Sequence, residues 1–166
     1  MVDPRLTTLE AVALAVRSEI ESTDLYEKLA LRVKNPEVKK VLDELAADEE
    51  KHRQGLMNLY KRMLDDQDPA IPESDGRAKE MNLQPDAAYV DVLTAARDKE
   101  VDSENFYKNA AQNVLEYRTR MFFLDVAESE RKHAATLQKL LDRLKEDPHW
   151  FEREEADPYK GQHVGP

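Results

Sequence analysis

Leu45-Ala46-Ala47-Asp48-Glu49-Glu50-Lys51-His52 and, 81 residues on, Val126-Ala127-Glu128-Ser129-Glu130-Arg131-Lys132-His133 decide how this chain folds. Alternating steps of three and four residues trace one face of a helix. Through the first segment that walk visits Val38, Leu42, Leu45, Glu49, His52, Leu56, Leu59 and Met63. Through the second it visits Phe123, Val126, Glu130, His133, Leu137, Leu140 and Leu144. Each stripe is apolar except for one Glu and one His, three residues apart, at its middle. The segments upstream repeat the theme. Leu9, Val12, Val16, Glu19, Thr23, Tyr26, Ala30 and Val33 form one face, and Leu93, Ala96, Glu100, Ser103, Tyr107, Ala111 and Val114 form another. A single acid interrupts each.

The helix breakers delimit these faces. Prolines stand at 4, 36, 69, 72, 85, 148, 158 and 166, and Gly55 is the only glycine within 37–68 or 86–147. Proline in a helix interior costs about 3 kcal/mol, so such long proline-free runs read as helix. Asn35-Pro36-Glu37 has the form of a helix start, with Asn as cap and Pro at the first position. Thr7-x-x-Glu10 and Asn113-x-x-Glu116 have capping-box form, and the second splits the later run in two. Helices are therefore predicted over about 8–34, 36–66, 85–112 and 114–146. The crossover between the second and third, 68–85, holds Pro69, Pro72 and Gly76. At about 3.3 Å per residue it can run the ~45 Å length of a 30-residue helix. The predicted fold is all-α: a four-helix bundle of two hairpins, about 8–67 and 86–147, joined by one long crossover within a domain spanning 1–147.

Burying an unpaired carboxylate costs several kcal/mol, so four acids and two imidazoles on core-facing stripes need a shared reason. A bound cation supplies one, because carboxylate oxygens and imidazole nitrogens are its natural ligands. The depths agree. With turns near residues 35 and 116, position 19 pairs with about 51 and position 100 with about 132, next to Glu49/His52 and Glu130/His133. The chain is also an internal repeat: adding 81 carries Glu19, Tyr26, Glu49 and His52 onto Glu100, Tyr107, Glu130 and His133. Six protein ligands crowd one ion but suit two ions bridged by two carboxylates. Glutamate is 19 of 166 residues, so one Glu-x-x-His means little; two, each matched by a further Glu thirty residues earlier, mean much more.

These residues resemble the ferritin-like di-iron carboxylate proteins, in which two helices give one Glu each and two give Glu-x-x-His. Within that superfamily the chain is most similar to the rubrerythrins, through the Glu-to-Tyr spacing of seven (Glu19/Tyr26, Glu100/Tyr107) and the LAADEEKH context of 45–52. The resemblance implies two iron ions, with manganese or zinc as alternatives in isolated protein. It implies bridging by Glu49 and Glu130, terminal ligation by Glu19 and Glu100, and one iron capped by each of His52 and His133. It further implies reduction of peroxide or dioxygen. Two departures stand out. There is no cysteine, so the rubredoxin-type iron of many rubrerythrins has no ligands here and electrons must come from an external donor protein. The extra Glu that rubrerythrins place three residues after the third-helix ligand, associated with peroxide reduction, is Ser103, and Glu104 lies one residue further round.

Composition narrows the classes. Lys+Arg number 25 against 35 Asp+Glu, a formal charge of −10, which argues against nucleic-acid binding. The absence of cysteine excludes disulfide scaffolds, Cys-held metals and thiol nucleophiles. The longest apolar run, Ala11 to Val16, is far short of the ~20 residues that cross a bilayer. The start lacks a basic flank followed by an apolar core, so a cytoplasmic protein without signal peptide is expected. Expected partners are a second copy, as homodimer or larger homo-oligomer with hairpins able to exchange, and an electron donor. Two alternatives to the peroxide or dioxygen reductase remain: a ferroxidase that stores or delivers iron, and a metal-stabilised bundle without turnover. Tyr26 and Tyr107 are candidates for a hydrogen bond or redox role near the site, or simply core aromatics. Asp48 could bond His52 but is expected as a solvated charge, since its repeat partner is Ser129, and Arg97 is expected at the surface rather than on Glu100. In the tail, 148–166, Trp150 and Phe151 are expected to dock on the bundle or on a second subunit, and His149 and His163 to face solvent.

Overall fold

Helices α1 (Thr8–Arg32), α2 (Pro36–Met63), α3 (Tyr89–Asn113) and α4 (Tyr117–Glu146) carry most of the chain, followed by a single 3-10 turn at Trp150–Glu152. The computed structural model describes residues 8–65, 70–73 and 88–154, and no strand occurs among them. The fold is the all-α four-helix bundle that the repeated stripes predict, and it is the ferritin-like bundle that the resemblance implies.

The helix ends show which capping signals operate. Asn35 starts α2: its Oδ1 accepts from the amides of Glu37 (2.9 Å) and Val38 (3.2 Å), and Pro36 needs no partner for the amide it lacks. The start of α4 departs from the predicted Asn113 cap. Val114 is extended, and the helix opens at Tyr117 with the Glu116 carboxylate accepting from the amides of Arg118 (2.9 Å) and Thr119 (2.7 Å). Asn113 instead closes α3, its Nδ2 donating to Asn109 O at 2.8 Å. A carboxylate facing the positive end of the helix dipole gains on both counts, which is how Glu displaces the better intrinsic capper. The predicted Thr7 cap lies outside the described residues, and α3 begins at Tyr89 rather than near 85.

Two apolar clusters fill the interior. One joins Leu25, Leu29 and Val33 of α1 and Val38 and Leu42 of α2 to Leu93 and Ala96 of α3 and Leu137–Leu144 of α4. The other joins Val12 and Val16 to Leu56 and Leu59, Phe106–Val114, and Phe123 and Val126. The first cluster thus takes the end of α1, the start of α2, the start of α3 and the end of α4. The second takes the opposite ends. It follows that α2 stops at one end of the bundle and α3 starts at the other, as one long crossover requires. Among the described connector residues, Ile71 packs on the second cluster and Ala70 O accepts from the Tyr60 hydroxyl at 3.4 Å, where α2 ends. Met63, placed on the stripe by its spacing, is 38% exposed at the last residue of α2.

The tail docks on the bundle at the α1–α2 turn. Phe151 is fully buried and Trp150 nearly so, both in the first cluster. Phe151 O accepts from the amides of Lys34 (3.0 Å) and Asn35 (3.1 Å), and Asn35 Nδ2 donates to Trp150 O at 3.0 Å. Polar backbone groups of the turn thereby gain partners under an apolar cover. His149 is exposed, as expected, whereas His163 lies outside the described residues. No helix among the described residues is long and apolar enough to cross a membrane.

Candidate metal centre

Between the two clusters, at mid-height, the bundle buries Glu19, Glu49, Glu100, Glu130 and His133 almost completely, with His52 12% exposed in its side chain. One residue each from α1 and α3 and the i, i+3 pairs from α2 and α4 project inward at one level. His52 Nδ1 lies 3.1 Å from Glu49 Oε2, 3.1 Å from Glu130 Oε1 and 3.7 Å from Glu19 Oε2. His133 Nδ1 lies 3.0 Å from Glu49 Oε1, 3.4 Å from Glu130 Oε2 and 3.8 Å from Glu100 Oε2. Glu49 and Glu130 therefore each direct one oxygen to each histidine. Glu19 serves only the His52 side and Glu100 only the His133 side. Two sets of donor atoms, Glu19/Glu49/His52/Glu130 and Glu49/Glu100/Glu130/His133, each fall within 4.8 Å of one another.

Whether these residues fit a metal pair is tested by their unused valence. Glu49 Oε1, Glu130 Oε1 and His133 Nδ1 are buried with no hydrogen-bond partner. Glu49 Oε1 and His133 Nδ1 are only 3.0 Å apart, yet they are not aligned as donor and acceptor. Both residues belong to a donor set gathered within 4.8 Å. Buried polar atoms left this way cost about 1–3 kcal/mol each unless something fills the space between them. The donor set fits a pair of cations.

The protonation pattern of the metal-free cluster follows from burial. Burial, and after it the neighbouring Glu49, pushes the Glu19 carboxyl up to about 8. Burial with Glu19 and Glu49 raises Glu130 well above the ordinary carboxylate range. Burial also opposes charge on Glu49, but the His133 and His52 imidazoles outweigh it and hold this carboxyl well below its usual value. Burial opposes charge on His52 as well, and Glu130, Glu19 and Glu49 overcome it to raise the imidazole to about 12. His133 is raised for the same reason by Glu100, Glu130 and Glu49. A cation entering this cluster would displace those protons.

Tyr26 and Tyr107 are fully buried, and each donates its hydroxyl to a carboxylate of the other repeat: Tyr26 to Glu100 Oε1, Tyr107 to Glu19 Oε1. The own-repeat Glu two turns away is not the partner. Helical side chains lean toward the N-terminus, so each tyrosine reaches back to mid-height while its own Glu leans away. Burial and the accepting carboxylate raise both phenols well above their ordinary value, so each keeps its proton.

Two placements, those of Asp48 and Lys99, were less legible. Asp48 does not reach its own-repeat His52 among the described contacts; its Oδ2 lies 3.7 Å from His133 Nε2. Lys99, unremarkable in the sequence, crosses from α3 to α1 and donates to Ser18 O (3.0 Å) and Ser22 Oγ (2.8 Å) beside the ligand level. Arg97 pairs with Asp98 and Gln138 at the surface, away from Glu100. Ser103 is half-buried, and Glu104 turns to Lys108 and joins neither donor set.

The sequence matches the rubrerythrin family over residues 10–88 and 91–161. The chain belongs to the rubrerythrin family. Solved structures with a similar fold include a hypothetical protein from Pyrococcus furiosus, 23% identical, covering 85% of this chain and 92% of that one with a TM-score of 0.73. The manganese catalase KatB from Anabaena is 19% identical over 95% of this chain and 83% of its own, with a TM-score of 0.66. No curated protein matches the chain.

Proposed function

We propose that this rubrerythrin-family chain is a di-iron oxidoreductase that reduces hydrogen peroxide or dioxygen with electrons from an external donor. The supporting observation is the sharing of Glu49 and Glu130 between two four-residue donor sets. In this reading Glu49 and Glu130 would be shared by both metal positions, with Glu19 and His52 holding one and Glu100 and His133 the other. A set rich in carboxylate with one imidazole per position favours iron or manganese over structural zinc, which prefers sulfur and nitrogen. When bound, two ferrous ions supply two electrons together, and conversion of hydrogen peroxide to two waters consumes them with two protons.

The protein's own contribution is positional. Tyr26 and Tyr107 hold protons on their hydroxyls and fix Glu100 and Glu19, so the terminal carboxylates keep one orientation across the reaction. The clusters above and below exclude bulk water from the level between them. Position 103 favours a second reading, ferrous oxidation coupled to storage or delivery. Ser103 replaces the extra Glu associated with peroxide reduction, and Glu104 does not substitute for it.

Limiting hydrogen peroxide added to the reduced protein, followed separately by excess ferrous ion and air, distinguishes the readings. Rapid peroxide loss sustained by a reductant is the expected result. Many ferric ions retained per chain would support the second reading, and neither outcome would leave a metal-stabilised bundle without turnover.

A further inference from the structure

The two histidines have unlike surroundings on the nitrogen that faces away from the cluster. His133 turns Nδ1 inward, and its Nε2 meets Ser129 Oγ at 3.4 Å and Asp48 Oδ2 at 3.7 Å. Among the described residues every ion pair of His52 runs through Nδ1, and no carboxylate faces its Nε2. The repeat explains the difference. Adding 81 to Asp48 gives Ser129, so the carboxylate that approaches His133 from across the bundle has only a hydroxyl as its counterpart. Asp48 is also fixed from behind, since Lys51 Nζ sits 2.7 Å from its Oδ1 and leaves Oδ2 for the imidazole. At 3.7 Å the contact is an ion-pair distance rather than a hydrogen bond. The Asp48 side chain is 44% exposed.

An imidazole that binds a metal through Nδ1 must carry its proton on Nε2. A carboxylate accepting that proton fixes the tautomer and ring orientation and makes Nδ1 the stronger donor. We propose that Asp48 is a positioning residue for His133, so that the two metal positions are inequivalent and the one beside His133 binds a divalent cation more tightly. This rests on the metal-centre reading above, and the experiment separates the two.

Cobalt(II) is titrated into the full-length metal-free protein against a chelator of known affinity, with the visible absorption of the bound ion as readout. The wild type is expected to fill in two resolved steps. Asp48→Ala should weaken the tighter step about tenfold to a hundredfold, as loss of such an outer carboxylate typically does, and leave the weaker step in place. Asp48→Asn, whose amide oxygen still accepts the Nε2 proton, should recover much of the loss. Ring nitrogen shifts of His133 in zinc-loaded protein should report a hydrogen-bonded Nε2–H, and Asp48→Ala should move the Nε2 shift toward that of a free N–H. Two equal steps in the wild type, or an equal effect of Asp48→Ala on both, would overturn the inequivalence while leaving the metal centre intact. A wild type that takes up no cobalt overturns both.

Discussion

Adding 81 to Glu19, Tyr26, Glu49 and His52 gives Glu100, Tyr107, Glu130 and His133, so the inward faces of the α1–α2 and α3–α4 hairpins are chemically the same. Their outward faces are not. From the first turn, Pro36, Lys40 and Asp43 run along α2; at the matching positions of α4 stand Tyr117, Met121 and Leu124, all exposed. The first turn is covered by Trp150 and Phe151, whereas Leu115 in the second is 95% exposed. Each hairpin alone holds two carboxylates and one imidazole, and each histidine meets a carboxylate from the other hairpin. A change on one inward face therefore alters a centre that both hairpins build, while an outer face answers only to its own surroundings.

The most damaging way to break that symmetry is to remove a shared residue. Glu49→Ala or Glu130→Ala should abolish binding at both positions. Glu19→Ala should spare the His133 side and Glu100→Ala the His52 side, halving the metal held per chain. Elemental analysis after iron reconstitution checks this; a Glu49→Ala variant with wild-type metal content would refute the assignment. The same titration has a pH sign. Glu19, pushed up to about 8, and His52, raised to about 12, hold protons at neutrality that metal must displace. Apparent affinity should thus rise as pH is raised from 6 toward 8, with protons released into weak buffer on metal addition. Release of none would contradict the raised values.

The two turns predict unequal stability effects. Phe151→Ala removes a fully buried ring from the first cluster and should cost about 3–5 kcal/mol. Leu115→Ser, on the uncovered turn, should stay within about 0.5 kcal/mol of wild type. A smaller gap separates the caps. Asn35→Ala loses two amide partners and the bond to Trp150 O, about 2 kcal/mol, whereas Glu116→Ala, at an exposed helix start, should cost less. Urea midpoints of the four variants give the order. Equal losses at the two turns would mean that the docked tail adds nothing.

What was legible in the sequence is what the interior demands. Carboxylates at Glu19, Glu49, Glu100 and Glu130 stand out because burying them needs a reason, and 81-residue periodicity groups them without any knowledge of packing. Cross-hairpin contacts were less legible. Tyr26 reaching Glu100, and Asp48 reaching His133 rather than His52, depend on which helices neighbour each other and how side chains lean, which spacing along one helix does not encode. The α4 start was misplaced because Asn113 outranks Glu116 as an isolated capper, while the structure uses the carboxylate.

Gly55 gives the smallest and most discriminating test of the comparison. A Cβ there would stand 2.7 Å from the Cε2 and Cζ atoms of Phe122, so glycine lets α2 accept the aromatic ring. Adding 81 to Gly55 gives Thr136, and subtracting 81 from Phe122 gives Val41: the second repeat has the larger residue where its counterpart is smaller. Alanine in a helix interior is favoured over glycine by about 1 kcal/mol. Forcing the ring aside costs about 1–3 kcal/mol, because it also packs beside Phe123 and the second cluster. Gly55→Ala should therefore be net destabilising by about 1 kcal/mol. In the Phe122→Val background, which copies the other repeat's smaller partner, the same change should become stabilising. A double-mutant cycle by thermal unfolding measures the coupling directly. If Gly55→Ala had the same effect in both backgrounds, the glycine would be answering to something other than the ring, and the size-for-size exchange between the hairpins would lose its physical basis.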